Sequence, residues 1–336
     1  MGKTFIIAEM SANHNGSKQI GIETIRAAKR AGADAIKLQT YTADTITLDN
    51  DKMEFMADST SVWAGMRLYD LYKQAYTPWE WHEELFRVAK EEGLICFSSP
   101  FDKTAVDFLE SLGNPIYKIA SFEITDIPLI EYAAKKMKPM VMSTGIATEE
   151  DIQLAVDTCR AAGNDDTLLK CTSSYPAPIE EANLCMIKAL AERYGVKSGL
   201  SDHTIGSVSA VVAVTQGATM IEKHFIIDRS IGGPDASFSM NEQEFAQMVK
   251  DIRMAEAAIG SVSYELTDKM KSGREFSRSL YVAEDMKAGE VITEQNVRSV
   301  RPGFGLHPKY LKDILGKKVN QDLEKGTRFA WEFVNS

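Results

Sequence analysis

The chain has 336 residues, 44% of them hydrophobic and 26% charged, which is enough for one large globular domain of about 250 residues and a small one. Its 38 basic and 48 acidic residues give a net charge of -10, and this argues against a nucleic-acid partner because phosphate binding draws on a basic surface. The first apolar run is too short for a signal peptide, and no stretch approaches the roughly 18 apolar residues of a membrane span, so we expect a cytoplasmic protein. The four cysteines show no CxxC spacing, which indicates free thiols rather than a zinc knuckle or a disulfide framework.

A β-type apolar run at residues 5–10 is followed by apolar residues at helical spacing over residues 19–31, and the helical pattern stops at Gly32. The same run-then-helix pattern returns seven more times. Eight alternating units in about 260 residues predict an α/β protein with a closed (β/α)8 TIM barrel rather than an open doubly wound sheet, and no GxGxxG follows the first run. The seven further runs lie at residues 35–39, 94–98, 116–120, 140–143, 168–172, 199–202 and 220–224.

Polar and charged residues stand where each of these runs ends. In a barrel the ends converge on the C-terminal face, where barrel enzymes carry their catalytic groups. Burying such groups unpaired is costly, so their gathering on one face predicts an enzyme rather than a purely structural barrel. In chain order they are Glu9, Lys37 with Gln39, Ser98 with Ser99, Lys118 with Ser121 and Glu123, Ser143 with Thr144, Thr172 with Ser173, Asp202 with His203, and His224.

Two histidines, His203 and His224, close neighbouring strands, and the loop after the second presents Asp235. Their rings are therefore expected to share one divalent metal ion, with a histidine general base as the less favoured alternative. With no cysteine expected nearby, such a site suits Mn, Fe or Co, with Mg or Zn as alternatives. A metal with an open coordination position would polarise a carbonyl group as a Lewis acid.

Two lysines, Lys37 and Lys118, belong to the same set of strand-end residues. Cations and hydroxyl donors form charge-assisted hydrogen bonds, so the set favours binding of a small phosphate together with a carboxylate. A Schiff-base lysine of the aldolase type is the alternative, and the residues alone leave it open. The hydroxyl groups that accompany the lysines are those of Ser99, Ser121, Ser143, Thr144 and Ser201.

Four carboxylates, those of Glu9, Glu123, Glu222 and Asp235, are candidate acids or bases. A salt bridge to one of the lysines is the alternative for each of them, and for Glu222 in particular.

A long insertion, residues 40–77, follows the second predicted strand. Loops of this length on the active face of a barrel commonly serve as lids or substrate walls. Its helical part also has a plain structural interpretation, in which residues 68–72 pack an apolar face on the barrel. Six aromatic residues of the insertion and its flank are able to stack on a sugar ring: Trp63, Tyr69, Tyr72, Tyr76, Trp79 and Trp81.

The strand-helix rhythm stops after residue 259. We therefore predict a barrel domain at residues 1–268, a polar linker at 269–277 and a small domain at 278–336. A domain of about 60 residues without disulfides is marginal by itself and is expected to dock on another surface.

Ten motifs, taken together and in this order, give the chain a strong resemblance to the sialic acid synthase family over nearly its whole length, with an antifreeze-like (SAF) domain at its end. The resemblance implies condensation of phosphoenolpyruvate with an open-chain amino sugar aldehyde to give a nonulosonic acid and phosphate. The motifs are IAEMSANHNG, KLQTY, FSSPFD, YKIASFE, MSTGIA, CTSSYPAP, GLSDHTIG, IEKHF, GGPD and RPGFGL.

By matching motif, the resemblance implies that His203 and His224 bind the metal and that Arg301 of RPGFGL reaches the sugar from the partner subunit of a domain-swapped homodimer. It puts Glu9, Glu123, Tyr175 and Asp235 near the metal and the sugar. The residues that it assigns to phosphoenolpyruvate are Lys37, Ser99, Lys118, Ser121, Ser143 and Ser201.

Ser173 stands where N-acetylneuraminate synthases of the family have an asparagine that contacts the sugar. Together with the long insertion and the segment SIGGPDASFSM, it resembles the members of the family that act on a 2,4-diacetamido-2,4,6-trideoxyhexose, and this resemblance implies pseudaminic acid as the product. Legionaminic or N-acetylneuraminic acid is the alternative product. Outside this family, the residues leave open a metal-dependent hydrolase and a non-catalytic carbohydrate-binding protein.

Overall fold

The structure is a computed structural model and describes residues 2–58 and 63–335. The chain divides into two compact units, Met1–Gly260 and Ser261–Ser336. Four residues of the long insertion, 59–62, lie outside the described residues. In the part of the chain that is described, no helix has the length and apolar character needed to cross a lipid bilayer.

Eight parallel strands form a closed barrel in sequence order, and the first strand pairs with the last. Each of the eight predicted runs falls on one of these strands, so the predicted (β/α)8 fold is confirmed. The strands are Phe5–Glu9 (β1), Ala35–Thr40 (β2), Ile95–Pro100 (β3), Tyr117–Ile119 (β4), Met140–Ser143 (β5), Asp166–Cys171 (β6), Lys197–Asp202 (β7) and Met220–His224 (β8).

Helices follow the strands and cover the outside of the barrel. The first begins where the Ser17 hydroxyl accepts a hydrogen bond from the Ile20 amide (3.4 Å), and Gly32 follows its end with φ +88. The helices of this unit are Lys18–Arg30 (α1), Ala43–Ile46 (α2), Leu68–Ala75 (α3), Trp79–Glu91 (α4), Lys103–Ser111 (α5), Ile127–Ala134 (α6), Glu149–Ala161 (α7), Cys185–Tyr194 (α8), Val208–Thr215 (α9) and Glu242–Ile259 (α10).

The alternation of side chains along each strand separates the outer core from the site. Two large apolar clusters lie between the strands and the helices. Ile7, Ala35 and Phe97 form a separate buried cluster. Each of the three lies two residues before a strand-end polar residue and so faces the same way. The barrel is therefore filled by apolar side chains below a polar layer at the C-terminal ends of the strands.

The second unit has an apolar core of its own, which includes Leu280, Val297 and Phe329. Two antiparallel strands, Ser279–Val282 (β9) and Val297–Val300 (β10), and the short helix Leu311–Ile314 (α12) contribute to it. Helix Asp268–Gly273 (α11) and the 3-10 turn Arg274–Phe276 lie in the segment predicted as a linker. The Thr267 hydroxyl caps α11 by accepting from the Met270 amide.

Candidate active site

Four charged side chains from four different strands meet inside the C-terminal end of the barrel. The ammonium of Lys37 lies 2.6 Å from Glu9 Oε2 and 3.8 Å from Glu222 Oε1. Lys118 donates to the same Glu222 oxygen at 3.1 Å. All four side chains are at most 6% exposed. Two cations and two carboxylates are thus buried together, which is tolerated because they pair with one another.

Glu222 links the two lysines. Its Oε1 atom also accepts from the Ser201 hydroxyl at 2.9 Å, whereas Oε2 is buried without a hydrogen-bond partner among the described residues. Burial opposes ionisation of Glu222, but Lys118 and Lys37 hold its pKa down at about 2. The salt-bridge interpretation of Glu222 is therefore confirmed, and this residue is an anion at neutral pH.

Glu9 and the two lysines respond differently to the same burial. Burial raises the pKa of Glu9 to about 7 in spite of the nearby Lys37 ammonium. The pKa of Lys118 is lowered, mainly by burial. Burial opposes the charge on Lys37 as well, but Glu222 and Glu9 leave its pKa raised. Near pH 7 the cluster therefore has one carboxyl group, Glu9, that gains or loses a proton readily.

Hydroxyl groups line the other side of the lysines. Lys37 donates to Ser99 Oγ at 3.3 Å, and Ser173 donates to Ser121 Oγ at 2.8 Å. The Ser143 hydroxyl is 1% exposed and has no hydrogen-bond partner in the described part of the chain. Buried polar atoms are rarely left unpaired in proteins, so this unused donor indicates a place for a bound acceptor.

Gly145 keeps the space beside these hydroxyls open. A Cβ atom there would come well inside 3.0 Å of the Ser121 and Ser173 hydroxyl oxygens and 3.2 Å from the sulfur of Cys171. A side chain at this position would therefore force both serines to turn away. The glycine lies directly after Ser143 and Thr144, and its local sequence pattern does not show what it approaches in space.

The two predicted metal-binding histidines lie together, with ring centroids 5.3 Å apart. His203 Nδ1 lies 3.0 Å from the Thr172 carbonyl oxygen. A carbonyl can only accept, so Nδ1 carries a hydrogen. Burial opposes charge on this ring, but its contacts with Cys171 and the Thr172 carbonyl raise the pKa of His203, so the lone pair on Nε2 is free only in the neutral form of the ring. Burial and the neighbouring His203 lower the pKa of His224 well below its ordinary value, which keeps the second ring neutral. Metal-bound imidazoles are neutral.

The donor set around this pair fits a metal ion that takes part of its coordination from substrate or water. Buried His224 Nδ1 has no hydrogen-bond partner in the described residues, and Asp235 Oδ2 lies 3.9 Å from it. Within residues 2–58 and 63–335, no group of three His, Cys, Asp or Glu side chains is arranged to hold a metal. Two imidazoles alone leave several coordination positions open, as a catalytic rather than a structural metal requires.

One expectation about this centre was wrong. Cys171, at the end of β6, lies 3.8 Å from His203 Nδ1 and 3.8 Å from the Ser173 hydroxyl. The thiol is in the site because strands β6 and β7 are paired, with Cys171 level with Ser201. A cysteine 32 residues away in sequence from His203 is therefore a neighbour in the fold.

Aromatic rings surround the histidines. The Tyr175 ring lies 4.3 Å from that of His203, and the Phe238 ring lies 5.1 Å from that of His224. Trp63, from the long insertion, lies 5.8 Å from Tyr175 and donates its indole N–H to the Pro234 carbonyl (3.1 Å). The insertion thus contributes a wall beside the imidazole pair, as expected for a loop on this face.

Two more carboxylates complete the site. Burial raises the pKa of Glu123 to about 7, and its Oε2 atom has no hydrogen-bond partner among the described residues. Asp235 accepts from the Ala12 amide at 3.3 Å, and burial raises its pKa as well.

The remaining aromatic candidates of the insertion and its flank have other contacts. Trp79 stacks on Phe108, and Trp81 packs edge-on against His14. In α3, Leu71 is buried and Tyr72 packs against Tyr41. This confirms that the helical part of the insertion packs an apolar face. The Tyr69 hydroxyl donates to Asp44, while Tyr76 is half-buried.

Arg301 belongs to the second unit. It is exposed there and precedes a cis peptide bond to Pro302.

Comparison with known proteins places this geometry in a family. The NeuB family model matches residues 24–264, and the SAF domain model matches residues 277–335. The chain belongs to the NeuB family. Its resemblance to nonulosonic acid synthases, inferred from ten motifs, is thereby confirmed, as is the nature of the small second domain.

Relatives with assigned activities cover the chain almost completely. It is 48% identical to the pseudaminic acid synthase of Campylobacter jejuni subsp. jejuni serotype O:23/36, over 96% of this chain and 94% of that one. Identity to the pseudaminic acid synthase of Helicobacter pylori is also 48%, over 96% and 95%. The N,N'-diacetyllegionaminic acid synthase of Legionella pneumophila is 36% identical over 99% of this chain and 95% of its own length.

Solved structures agree with the fold. The spore coat polysaccharide biosynthesis protein SpsE of Bacillus subtilis superimposes with a TM-score of 0.67 at 32% identity, covering 100% of this chain and 96% of that one. The N-acetylneuraminic acid synthetase of Leptospira borgpetersenii serovar Hardjo-bovis, solved with citrate, gives 0.73 at 30% identity, covering 81% and 90%.

Proposed function

We propose that this chain condenses phosphoenolpyruvate with a 2,4-diacetamido-2,4,6-trideoxyhexose aldehyde to give pseudaminic acid and phosphate. The observation that carries the proposal is the likeness to curated pseudaminic acid synthases, which extends over nearly all of both chains and is greater than the likeness to the legionaminic acid synthase. The buried cluster of lysines, carboxylates and hydroxyls supports it, because such a cluster suits a small, highly charged anion.

Phosphoenolpyruvate carries a phosphate and a carboxylate, and the proposed binding groups match both. Lys37 and Lys118 supply the two cations, and the Ser99 and Ser201 hydroxyls lie within hydrogen-bond distance of this ion cluster. Ser143 contributes an unused buried hydroxyl. Ser121 and Ser173, beside Gly145, extend the row of donors. In this proposal the lysines bind anions and form no imine with substrate.

His203 and His224 are proposed to hold a divalent metal ion, Mn, Co or Mg. When bound, such an ion supplies Lewis-acid polarisation of the sugar aldehyde. The closeness of the two rings and the unpartnered nitrogen of His224 support this assignment. Tyr175 and Trp63 contribute apolar ring surface beside the same pair, where the methyl and acetamido groups of the sugar would be sheltered from water.

The reaction needs three proton movements. C3 of phosphoenolpyruvate forms a bond to the aldehyde carbon, and the aldehyde oxygen takes up a proton. Water adds at C2 and loses a proton. The C2–O bond to phosphate then breaks, phosphate leaves with the bonding electrons, and the C2 hydroxyl loses its proton to become the ketone. Glu9 and Glu123, with pKa values of about 7, are the proposed groups that accept and return these protons. Asp235 is proposed to bind the sugar beside the metal.

We further propose that the active enzyme is a domain-swapped homodimer in which Arg301 of the partner subunit contacts the sugar. The resemblance to the family supports this, and so does the small size of the second unit, since exchange of an element between two copies is a common route to a closed dimer.

A substrate panel tests the activity. Purified chain with Mn2+ is mixed with phosphoenolpyruvate and with each of several 2,4-diacetamido-2,4,6-trideoxyhexose isomers or N-acetylmannosamine, and phosphate release is measured. The highest kcat/KM is expected for the isomer that yields pseudaminic acid, identified by NMR of the product. A higher kcat/KM for the precursor of legionaminic acid would reassign the product, and phosphate release without any sugar would indicate a hydrolase.

Isotopic labelling tests the bond that breaks. With 18O in the bridging oxygen of phosphoenolpyruvate, C–O cleavage sends the label into phosphate. Label retained in the sugar acid would contradict the proposed order of steps.

A further inference from the structure

A buried ion pair outside the ion cluster joins the two strands that carry the histidines. Asp202 and Lys223 lie level with each other in the ladder between β7 and β8. The Lys223 ammonium is 2.7 Å from Asp202 Oδ2, and both side chains are 1% exposed. Side chains alternate along a strand, so this pair points away from Ser201 and Glu222, which meet inside the barrel. It has no place in the anion site.

The pair also fixes the loop that follows β7. Lys223 contacts the Thr204 carbonyl and, at 3.3 Å, the Gly206 carbonyl, so its three N–H groups are directed at three different acceptors. The second oxygen of Asp202 accepts from the Thr204 amide at 2.9 Å and from the Thr204 hydroxyl at 2.8 Å. Hydrogen bonds from both members of the ion pair therefore fix the first turn of the loop that begins with His203.

Each partner is the immediate neighbour of one histidine. Asp202 precedes His203, and Lys223 precedes His224. The ion pair therefore links the two strands at the positions immediately before the two histidines. Replacement of a buried ion pair by apolar residues of similar volume is often neutral or stabilising, so stability alone does not account for this pair. What this pair provides, and apolar packing does not, is a fixed geometry, because each of its hydrogen bonds joins two defined atoms.

We propose that Asp202 and Lys223 are positioning residues that set the separation and orientation of His203 and His224 for metal binding. The inference rests on the proposed metal site. Groups that hydrogen-bond to metal ligands, without touching the metal, change metal affinity by about 10- to 100-fold when they are removed. Asp202 and Lys223 act one residue away, through the backbone, so a loss near the lower end of this range is expected, in metal affinity itself as well as in kcat.

The test is a titration of the full-length chain with Co2+ alone, in which binding is measured by calorimetry and by visible absorption. The main variant is the double substitution Asp202→Asn with Lys223→Met, which removes both charges and so leaves no buried charge without a partner. We expect its Kd for Co2+ to rise at least tenfold and its kcat to fall. Its KM for phosphoenolpyruvate should stay within about twofold of wild type, because Lys37 and Lys118 are untouched. Asp202→Glu keeps both charges and lengthens one side chain by a methylene, so it is a milder variant that remains usable if the double variant unfolds.

The matched control is Arg253→Met. Arg253 pairs with Asp34 at 3.1 Å and donates to the Thr4 carbonyl at 2.9 Å, so it ties strands together at the opposite, N-terminal end of the barrel. It should lower the melting temperature and leave Co2+ affinity unchanged. If the Asp202 variants behave like this control, with a lower melting temperature and unchanged Co2+ affinity, the positioning role is rejected. If wild type itself binds no Co2+, the proposed metal site fails, and the inference fails with it.

Discussion

Gly145→Ala is a demanding test of the proposed phosphoenolpyruvate site, because it adds one methyl group and removes no functional group. The new Cβ would lie too close to the Ser121 and Ser173 hydroxyl oxygens for either to stay in place. Both are ends of short side chains and can rotate, so folding should lose little beyond their mutual hydrogen bond of 2.8 Å, worth about 1 kcal/mol.

The effect on binding should be larger than the effect on folding. A hydrogen bond to a charged group contributes about 1.5–3 kcal/mol. Loss of one such bond to phosphoenolpyruvate corresponds to a rise of about 10- to 150-fold in KM. The assay is steady-state phosphate release at varied phosphoenolpyruvate concentration, with the melting temperature measured in parallel.

The control is Gly273→Ala. A Cβ at Gly273 meets nothing within 4 Å, and the backbone there does not have the positive φ that disfavours alanine. This variant should keep the wild-type KM. A Gly145→Ala enzyme whose KM stays within about threefold of wild type would refute the assignment of these hydroxyls to phosphoenolpyruvate.

Four further predictions concern the charged groups and the assembly. EDTA should abolish activity, and Mn2+, Co2+ or Mg2+ should restore it. The His224→Ala variant should fold normally but have no turnover. Full activity of a preparation shown to be metal-free by elemental analysis would contradict this prediction. Lys37→Ala should mainly raise the KM for phosphoenolpyruvate, and borohydride should trap no substrate, so a reduced adduct on either lysine, detected by mass spectrometry, would restore the Schiff-base alternative. In the folded chain the pKa of Glu123 is about 7, whereas its ordinary value is 4.5. The contribution of this carboxyl group to stability is therefore present below pH 4.5 and is lost as the pH rises through 7. Relative to Glu123→Gln, wild type should lose about 2 kcal/mol of unfolding free energy between pH 5 and 7.5 in urea titrations, and a constant difference between the two would show that the carboxyl group is solvated. Refolding His224→Ala and Arg301→Ala chains together should return about a quarter of wild-type activity if Arg301 acts on the partner's site, whereas recovery no greater than the sum of the parents, with mixed dimers confirmed by native mass spectrometry, would reject domain swapping.

The sequence predicts the barrel and the position of its site well, because both follow from local periodicity. Once eight runs are seen to alternate with helices, topology alone brings the strand ends together. It also suggests the pairing of His203 with His224, since each closes a strand and the strands are neighbours.

What the sequence does not predict depends on contacts between residues that are far apart along the chain. Cys171 enters the site through the pairing of β6 with β7, and Gly145 matters only because two serines from other loops approach it. Of the six aromatic candidates, Trp63 contacts Tyr175, which packs on His203, whereas Trp79 and Trp81 serve the packing around α4. Composition gives all three tryptophans the same weight, and their surroundings distinguish them.

The pairing of the first strand with the last has a consequence for biosynthesis of the protein. Glu9 of β1 lies level with His224 of β8, so the seam where the barrel closes passes through the site itself. A growing chain that has not yet added its eighth strand has neither Glu222 nor His224 and cannot bring two imidazoles together. The strand-end groups therefore come together only at closure, so the proposed site cannot form on an unfinished chain that lacks the eighth strand. Any ligand that bridges the seam also fastens it, so occupancy of the site should slow reopening of the barrel.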